Sequence, residues 1–468
     1  MNTILSYIQS HYTYHSKFLS IGRIIISLIL ITDLFYRYQN LQAHYTNEGV
    51  LPVSVIKTYY PFYQYYFSLH NLWSSATAQK ILFFTHFVSA FLLLLGWKTQ
   101  ILTIINFILL LSLHHRNPII LQGGDDLLRI TLFYMMFLPW GKFYSLDNIR
   151  KKHTDKNKTT GFSWIFVVFM INIAFVYLFS ALLKTNEEWR VTGDAAYYAL
   201  SLDTLRTTFG NFLYPHPTLL KVLTFFVYYV LEIIAPILLI FSFSKKIRIT
   251  AIGLIILLHL GNMLTLKVGI FPFVGIATAL MILPPVGKYT NKMTSSINIA
   301  EIIFAFVILI LTTRYNLATL NNSLFSITLS EDRLLNSIGL SQRWNMFSPG
   351  VKRYDGWLVL RGIKKDNTEW DLIHNTPKIH YEATPQNTQY LKGDRWRKFL
   401  ENYEQVQYNF VKPYFCRYLI YQWNKTHPEN PVEALNILFV KKITLPDYHY
   451  QLETENLCLC NPFIENNK

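Results

Sequence analysis

The chain has 468 residues, 51% hydrophobic, 16% aromatic and only 15% charged. Several of its apolar runs are long enough to cross a bilayer core of about 30 Å, which excludes an ordinary soluble protein and reads as a polytopic membrane protein. The formal net charge of +15 is not a nucleic-acid signal, because the basic residues sit in short loops between apolar segments and not in one patch with stacking aromatics.

In chain order, apolar runs read as membrane spans at about 18–36, 80–97, 100–114, 127–140, 162–184, 217–242, 249–266, 269–285 and 298–314. The first contains Arg23 and Asp33 and lacks a small-residue cleavage site, so it reads as a retained span and not as a signal peptide. The runs at 100–114 and 127–140 are short for a full crossing and draw length from their flanks or lie partly inside protein. Lys98, then Lys142, Arg150, Lys151, Lys152, Lys156 and Lys158, then Lys245, Lys246 and Arg248, and finally Lys288 and Lys292 fall on one side of a nine-span chain. Positive loops mark the cytoplasmic side, which puts the N-terminus inside and everything after Arg314 outside. No internal repeat is evident, nor the paired broken helices of transporters built from repeated halves.

From about Tyr315 the apolar runs shorten, and charged and turn residues become frequent. YDGWLVLRGI and EWDLI, joined by the polar KKDNT, read as two strands. GDRWRKFLENYEQ reads as a helix capped by Asp394 with Trp396, Phe399, Leu400 and Tyr403 on one face, and NILFVKKITL as a further strand before a coil-like end. The chain's three cysteines, Cys416, Cys458 and Cys460, lie here and spell neither a disulfide framework nor a CxxC metal pair. The expected architecture is an all-α polytopic membrane bundle of about nine transmembrane helices over 15–314, followed by a small extracytoplasmic α+β domain over 315–468.

Ionisable side chains in hydrocarbon are costly and usually face the protein interior. With this topology Asp33, His86, His114, His115, Arg129, Lys184, His259 and Asn262 lie toward the outer leaflet and Glu232 near mid-depth, which implies a polar cavity opening outward beneath the tail and the 185–214 loop. Lys184 has two readings. It is either a snorkelling cation paired with Glu187 or Glu188, three and four residues on, or a partly buried amine able to act as a base, with Ser180 and Tyr177 on its face. Arg129 follows Asp125 and Asp126 in GGDDLLR, which points to a local ion pair. His86 and His259 read as hydrogen-bonded interior histidines, Asn262 as the polar neighbour of His259 one turn on, and no metal is expected because no second ligand stands at a recognised spacing. Glu232, between Tyr228 and Pro236, marks a broken helix whose freed backbone Glu232 itself would satisfy. The stretch YYPFYQYYF at 59–67 reads as an interfacial aromatic belt, whose rings would also line a quinone pocket.

Four stretches carry a family likeness: GGDDLLR through FLPWGKFYSLD at 123–147; the span ending in Lys184 with Trp189, Gly193 and a tyrosine-rich helix after it; LLHLGNMLTLKVGIFPFVGIATALMILPP; and RWNMFSPGVKRYDGWLVLRG at 343–362. Together, in this order, they resemble the horizontally transferred transmembrane (HTTM) family, whose best-known relatives are the vitamin K-dependent gamma-carboxylases. In those enzymes a lysine placed as Lys184 is here is regarded as the base that activates vitamin K hydroquinone. Oxygen then converts the cofactor into a strongly basic alkoxide, which takes a proton from a glutamate side chain so that carbon dioxide can add. His259 is similar in position to a histidine of the corresponding family span. Two family histidines are replaced: before the SxD of FYSLD this chain has Lys142 or its neighbours, and in MFSP it has Ser348 and Pro349. The tail is also far shorter than the family's glutamate-substrate and propeptide-binding region.

The resemblance thus implies Lys184 and His259 as catalytic residues. Glu232, Asn262, Arg129 and Tyr177 would line a site for a reduced quinone similar to vitamin K hydroquinone. The implied partners are the lipid bilayer, a lipid quinol and a protein or peptide substrate outside the cytoplasm, with no nucleic acid. The alternative, from a different class, is a non-catalytic membrane protein that binds a lipid or protein partner through the same cavity and the C-terminal domain.

Overall fold

A computed structural model describes residues 8–60, 63–150, 159–285, 298–320 and 323–460. Each apolar run expected to span is helical: α1 (Ser16–Gln39), α2 (Ala76–Leu95), α3 (Thr99–Arg116), α4 (Gly123–Met135), α5 (Trp164–Leu183), α6 (Pro217–Ile240), α7 (Lys245–Thr265), α8 (Phe271–Met281) and α9 (Ile299–Ala318). Six of these, α1, α2, α5, α6, α7 and α9, are long and apolar enough to cross a membrane. The remaining three fall short by length or composition: α4 has 13 residues, α8 has 11, and α3 ends in His114, His115 and Arg116.

Local chemistry sets the helix ends. Ser75, Ser163, Ser244 and Asn298 each accept a hydrogen bond from a first-turn N–H of the helix they precede, filling an amide that the helix cannot satisfy internally. Gly96 closes α2 at φ 68°, where a side chain would also run into the Arg23 guanidinium. The Asp147 carboxylate of FYSLD accepts the N–H groups of Lys98 and Thr99, both at 2.7 Å, so this motif ties the α4–α5 loop to the start of α3.

The described ends of the basic loops gather at one end of the bundle. Arg23 reaches the carbonyls of Leu93 and Tyr144, and Arg248 those of Ile282 and Thr13. Ser16 N–H meets Thr159, next to a two-residue pairing of Tyr14–His15 with Thr160–Gly161. Lys151, Lys152, Lys156, Lys158, Lys288 and Lys292 lie outside the described residues.

After α9 the chain crosses the opposite end and builds an antiparallel sheet in the order β2-β1-β3-β4, from β1 (Tyr354–Ile363), β2 (Glu369–Asp371), β3 (Ala434–Thr444) and β4 (Tyr450–Cys460). The last strand replaces the expected coil-like end. Helix α10 (Asp394–Tyr403) starts as expected, but Gly393 is its cap; Asp394 is its first residue and binds Gln122 at 2.5 Å and Arg397 at 2.7 Å. Helix α11 (Lys412–Thr426) buries Phe415, Cys416, Leu419, Ile420 and Trp423. A Cys416–Cys460 disulfide ties it to the edge strand β4, a pairing that the cysteine spacing did not suggest. Apolar residues of bundle and tail belong to one continuous core, in which Trp344, 1% exposed, sits beside bundle side chains. Tyr59 and Tyr60, expected in an aromatic belt, pack on Phe410 of the tail with ring centroids 4.6 and 6.1 Å away.

Candidate functional site

Helix α5 ends at Leu183, and Lys184, its C-cap, turns its side chain back along the last turn. Its Nζ donates to Ser180 Oγ at 2.9 Å and to both carboxylate oxygens of Glu232, at 2.6 and 2.5 Å, and lies 4.6 Å above the Trp189 ring. Both ionic side chains are buried: the residues are 1% and 7% exposed. Snorkelling toward Glu187 or Glu188 is therefore not what this lysine does. Glu188 instead accepts from Val351 N–H at 2.7 Å and from Arg353 at 2.9 Å, which holds the segment after Phe347 against the turn that follows α5.

Glu232 owes its place to an irregularity in α6. A proline at 236 has no N–H to give the carbonyl four residues back, that of Glu232. The helix answers by widening over Phe226–Ile234 into π-helical turns, in which Ala235 N–H reaches Val230 O five residues back. The helix is thus widened and not broken. The Glu232 side chain does not repair the backbone; it faces inward with Tyr228 and Leu231 and takes the lysine.

A second buried pair lies on the same face of α5. Tyr177 Oη is 2.7 Å from His259 Nε2, and the His259 ring, fully buried, stands edge-on to Phe271 at 5.1 Å. Seven residues separate the Tyr177 and Lys184 backbone positions, about 10 Å along the helix, and Lys184 reaches back one turn of that to Ser180. His259 Nδ1 is buried and has no hydrogen-bond partner among the described residues. The ring fits only because α8 presents Gly275 there, where a methyl group would overlap it.

The other expected site residues are elsewhere. Arg129 donates to Asp126 at 2.8 Å and to the carbonyls of Gly339 and Ser341 at 2.9 and 2.7 Å, anchoring the chain between α9 and the sheet. Asn262 is half-buried and is a partner in neither pair. His86 is fully buried, with neither ring nitrogen hydrogen-bonded among the described residues.

An open pocket of about 490 Å³ begins one residue beyond Lys184, lined by Thr185, Glu187, Glu188, Asp194 and Arg353 among others. Its walls carry both signs of charge. Of the nearby tail groups, Asp355 accepts Thr204 N–H at 2.9 Å, and burial pushes its carboxyl up to about 6.

Sequence reasoning missed the largest ionic cluster. Arg37 binds Asp33 at 2.6 Å and Asp125 at 2.5 Å, and Arg395 reaches in from α10 to bind the same two carboxylates at 2.6 and 2.5 Å. The i,i+4 spacing of Asp33 and Arg37 was a usable signal for half of it. Nothing in the sequence ties Arg395, some 270 residues away, to Asp125. Among the described residues, the group able to hold a metal ion lies in the tail and comprises Asp371, His374 and His380.

A family model, the HTTM domain, matches residues 13–286, more than half of the chain. No curated protein and no solved structure matches.

Proposed function

We propose that this chain, which belongs to the HTTM family and is an integral membrane protein, uses Lys184 as a base in chemistry linked to a lipid quinol, at a site open to the outer side. The observation that carries the reading is the buried Lys184–Glu232 pair at 2.5 Å, next in the chain to the open pocket that starts at Thr185. A proton moving from Nζ to the carboxylate leaves the amine with a free lone pair, and a site of low dielectric tolerates the resulting neutral pair. Ser180 fixes the amine's direction, and the Trp189 face shields it from water.

The groups nearby have the chemistry that a reduced quinone would need. A flat ring with hydroxyl groups needs an apolar wall and a buried polar partner; Phe271 would supply the first and His259 Nδ1, which has no partner among the described residues, the second. When bound, such a quinol would supply an acidic hydroxyl and two electrons. Tyr177 holds the His259 ring in register for that contact, and Lys184 is placed to accept a proton. Glutamate carboxylation on a protein or peptide outside the cytoplasm is the specific outcome that the gamma-carboxylase resemblance suggests.

In topology, α3, α4 and α8 complete nine crossings with the six longer helices. The membrane unit then covers 15–314 and the extracytoplasmic α+β domain 315–468. The gathered basic loops support a cytoplasmic N-terminus, and the Cys416–Cys460 disulfide suits an oxidising compartment for the tail.

One observation favours a second, non-catalytic reading. Nζ is satisfied on every side by Ser180, Glu232 and Trp189, as it would be in a purely structural link between α5 and α6, leaving the polar pocket to bind a lipid headgroup or a protein. Oxidation of a vitamin K-type quinol by dissolved oxygen in the presence of the purified protein separates the two. Both Lys184→Ala and Lys184→Arg are expected to lose at least about 100-fold in turnover, since a guanidinium cannot serve as a base. Full turnover by Lys184→Arg would end the base assignment.

A further inference from the structure

Strand β2 ends at Asp371, whose carboxylate is 1% exposed, and the chain then loops over the sheet to Thr384 before a short helix, Pro385–Thr388. That loop returns two histidines to the same carboxylate oxygen. His374 Nδ1 is 3.0 Å and His380 Nδ1 3.2 Å from Asp371 Oδ2, and the two rings lie 4.3 Å apart. One candidate ligand atom from each of the three residues falls within 4.8 Å of the others.

We propose that Asp371, His374 and His380 bind one divalent transition-metal ion, Zn²⁺ foremost, which pins the 371–384 loop to the sheet. Two imidazole nitrogens and one carboxylate oxygen are the donor set of borderline metals such as zinc, and not of calcium or magnesium. The spacing matches. Around an ion with bonds of about 2.0–2.1 Å in a tetrahedral arrangement, neighbouring ligand atoms stand about 3.3 Å apart. The two carboxylate–imidazole edges, 3.0 and 3.2 Å, are close to that, and the edge between the two imidazole nitrogens is within 4.8 Å.

The surroundings supply the outer support that metal-bound histidines and carboxylates need. His374 Nε2 is 2.8 Å from Thr384 Oγ1, so in the tautomer that carries its hydrogen on Nε2 the ring donates to the hydroxyl oxygen and Nδ1 keeps its lone pair for the ion. Asp371 Oδ1 accepts the N–H groups of Ile373 and His374 at 2.9 and 3.0 Å, which aims Oδ2 at the histidines. Trp357 Nε1 donates to Tyr381 O at 3.0 Å, so the loop is already registered on the sheet when the ion arrives. The His380 side chain keeps 26% of its surface exposed, giving the ion a path in and a fourth position for water.

The test uses full-length, tag-free protein in detergent, stripped with a chelator and titrated with Zn²⁺ against a chromophoric competitor. One equivalent is expected to bind, with affinity falling at least about 10-fold in His374→Gln and in His380→Gln, because loss of a direct ligand costs no less than loss of an outer partner. Zn²⁺ is also expected to slow proteolysis within 372–384 in the wild type and not in the variants. Thermal unfolding checks that each variant is folded, and the wild-type titration stands even if one is not. Failure of the wild type to take up one equivalent, or equal affinity in the folded variants, would overturn the site and leave a hydrogen-bonded Asp–His cluster.

Discussion

Removing the Arg395 guanidinium leaves Asp33 and Asp125 sharing the one charge of Arg37 in a buried site. An uncompensated buried carboxylate is costly, so Arg395→Ala is expected to destabilise the protein by about 3–5 kcal/mol and to free the tail for proteolysis. A thermal unfolding curve in detergent, read beside the protease pattern, checks it; an unchanged midpoint would mean that Arg37 alone neutralises both acids. At this scale the sequence was legible in kind but not in pairing. Lys184, Glu232, Tyr177 and His259 stood out because polar groups in apolar runs are conspicuous. That Glu232 and not Glu187 or Glu188 takes the lysine depends on how α6 packs on α5, across 48 residues of chain, and no local spacing encodes it.

Helices α7 and α8 meet where Gly275 makes room for the His259 ring. Gly275→Ala is expected to displace the ring, break its bond to Tyr177 and cost about 1–3 kcal/mol. Gly253→Ala, on an exposed face of α7 with open space beyond it, is expected to be neutral or to stabilise by up to about 1 kcal/mol, since alanine orders more easily in a helix. Thermal midpoints of the two variants in one detergent decide it, and equal effects would remove the packing role given to Gly275. Helices were readable at this scale because long apolar runs admit little else. Strand β4 was not, because Tyr450 to Thr454 are exposed on an edge strand and YQLETE shows no buried alternation. The π-helical widening of α6 was half legible: Pro236 announced a disturbance, but a widened helix and a broken one leave the same trace in sequence.

Across the whole molecule, the tail closes the end of the bundle opposite the basic loops, held by Arg395, by Glu188 with Arg353, and by one continuous core. With the tail outside, a cysteine at Asn367, in the β1–β2 turn, is expected to react with an impermeant reagent in intact cells. One at Ile149, 73% exposed beside the basic loop, is expected to react only after permeabilisation, with wild type as the background for Cys458. The reverse pattern would invert the topology and move the Lys184 pocket to the cytoplasm. That the tail lies over the bundle was foreshadowed by the polar groups gathered toward the outer leaflet, but its docking chemistry was not, because Arg395, Arg353 and Glu188 look in sequence like ordinary surface charges.

The central claim is that the Lys184–Glu232 pair performs chemistry and does not merely join α5 to α6. Replacing both partners by neutral groups of similar size, Lys184→Met with Glu232→Gln, removes the charges together and so avoids leaving either one unpaired. Thermal stability and quinol oxidation of this double variant, measured on the same preparation, test the claim most directly. A folded protein with a midpoint near that of the wild type and no quinol turnover is expected; a folded double variant that oxidises quinol at the wild-type rate would leave the pair a purely structural link.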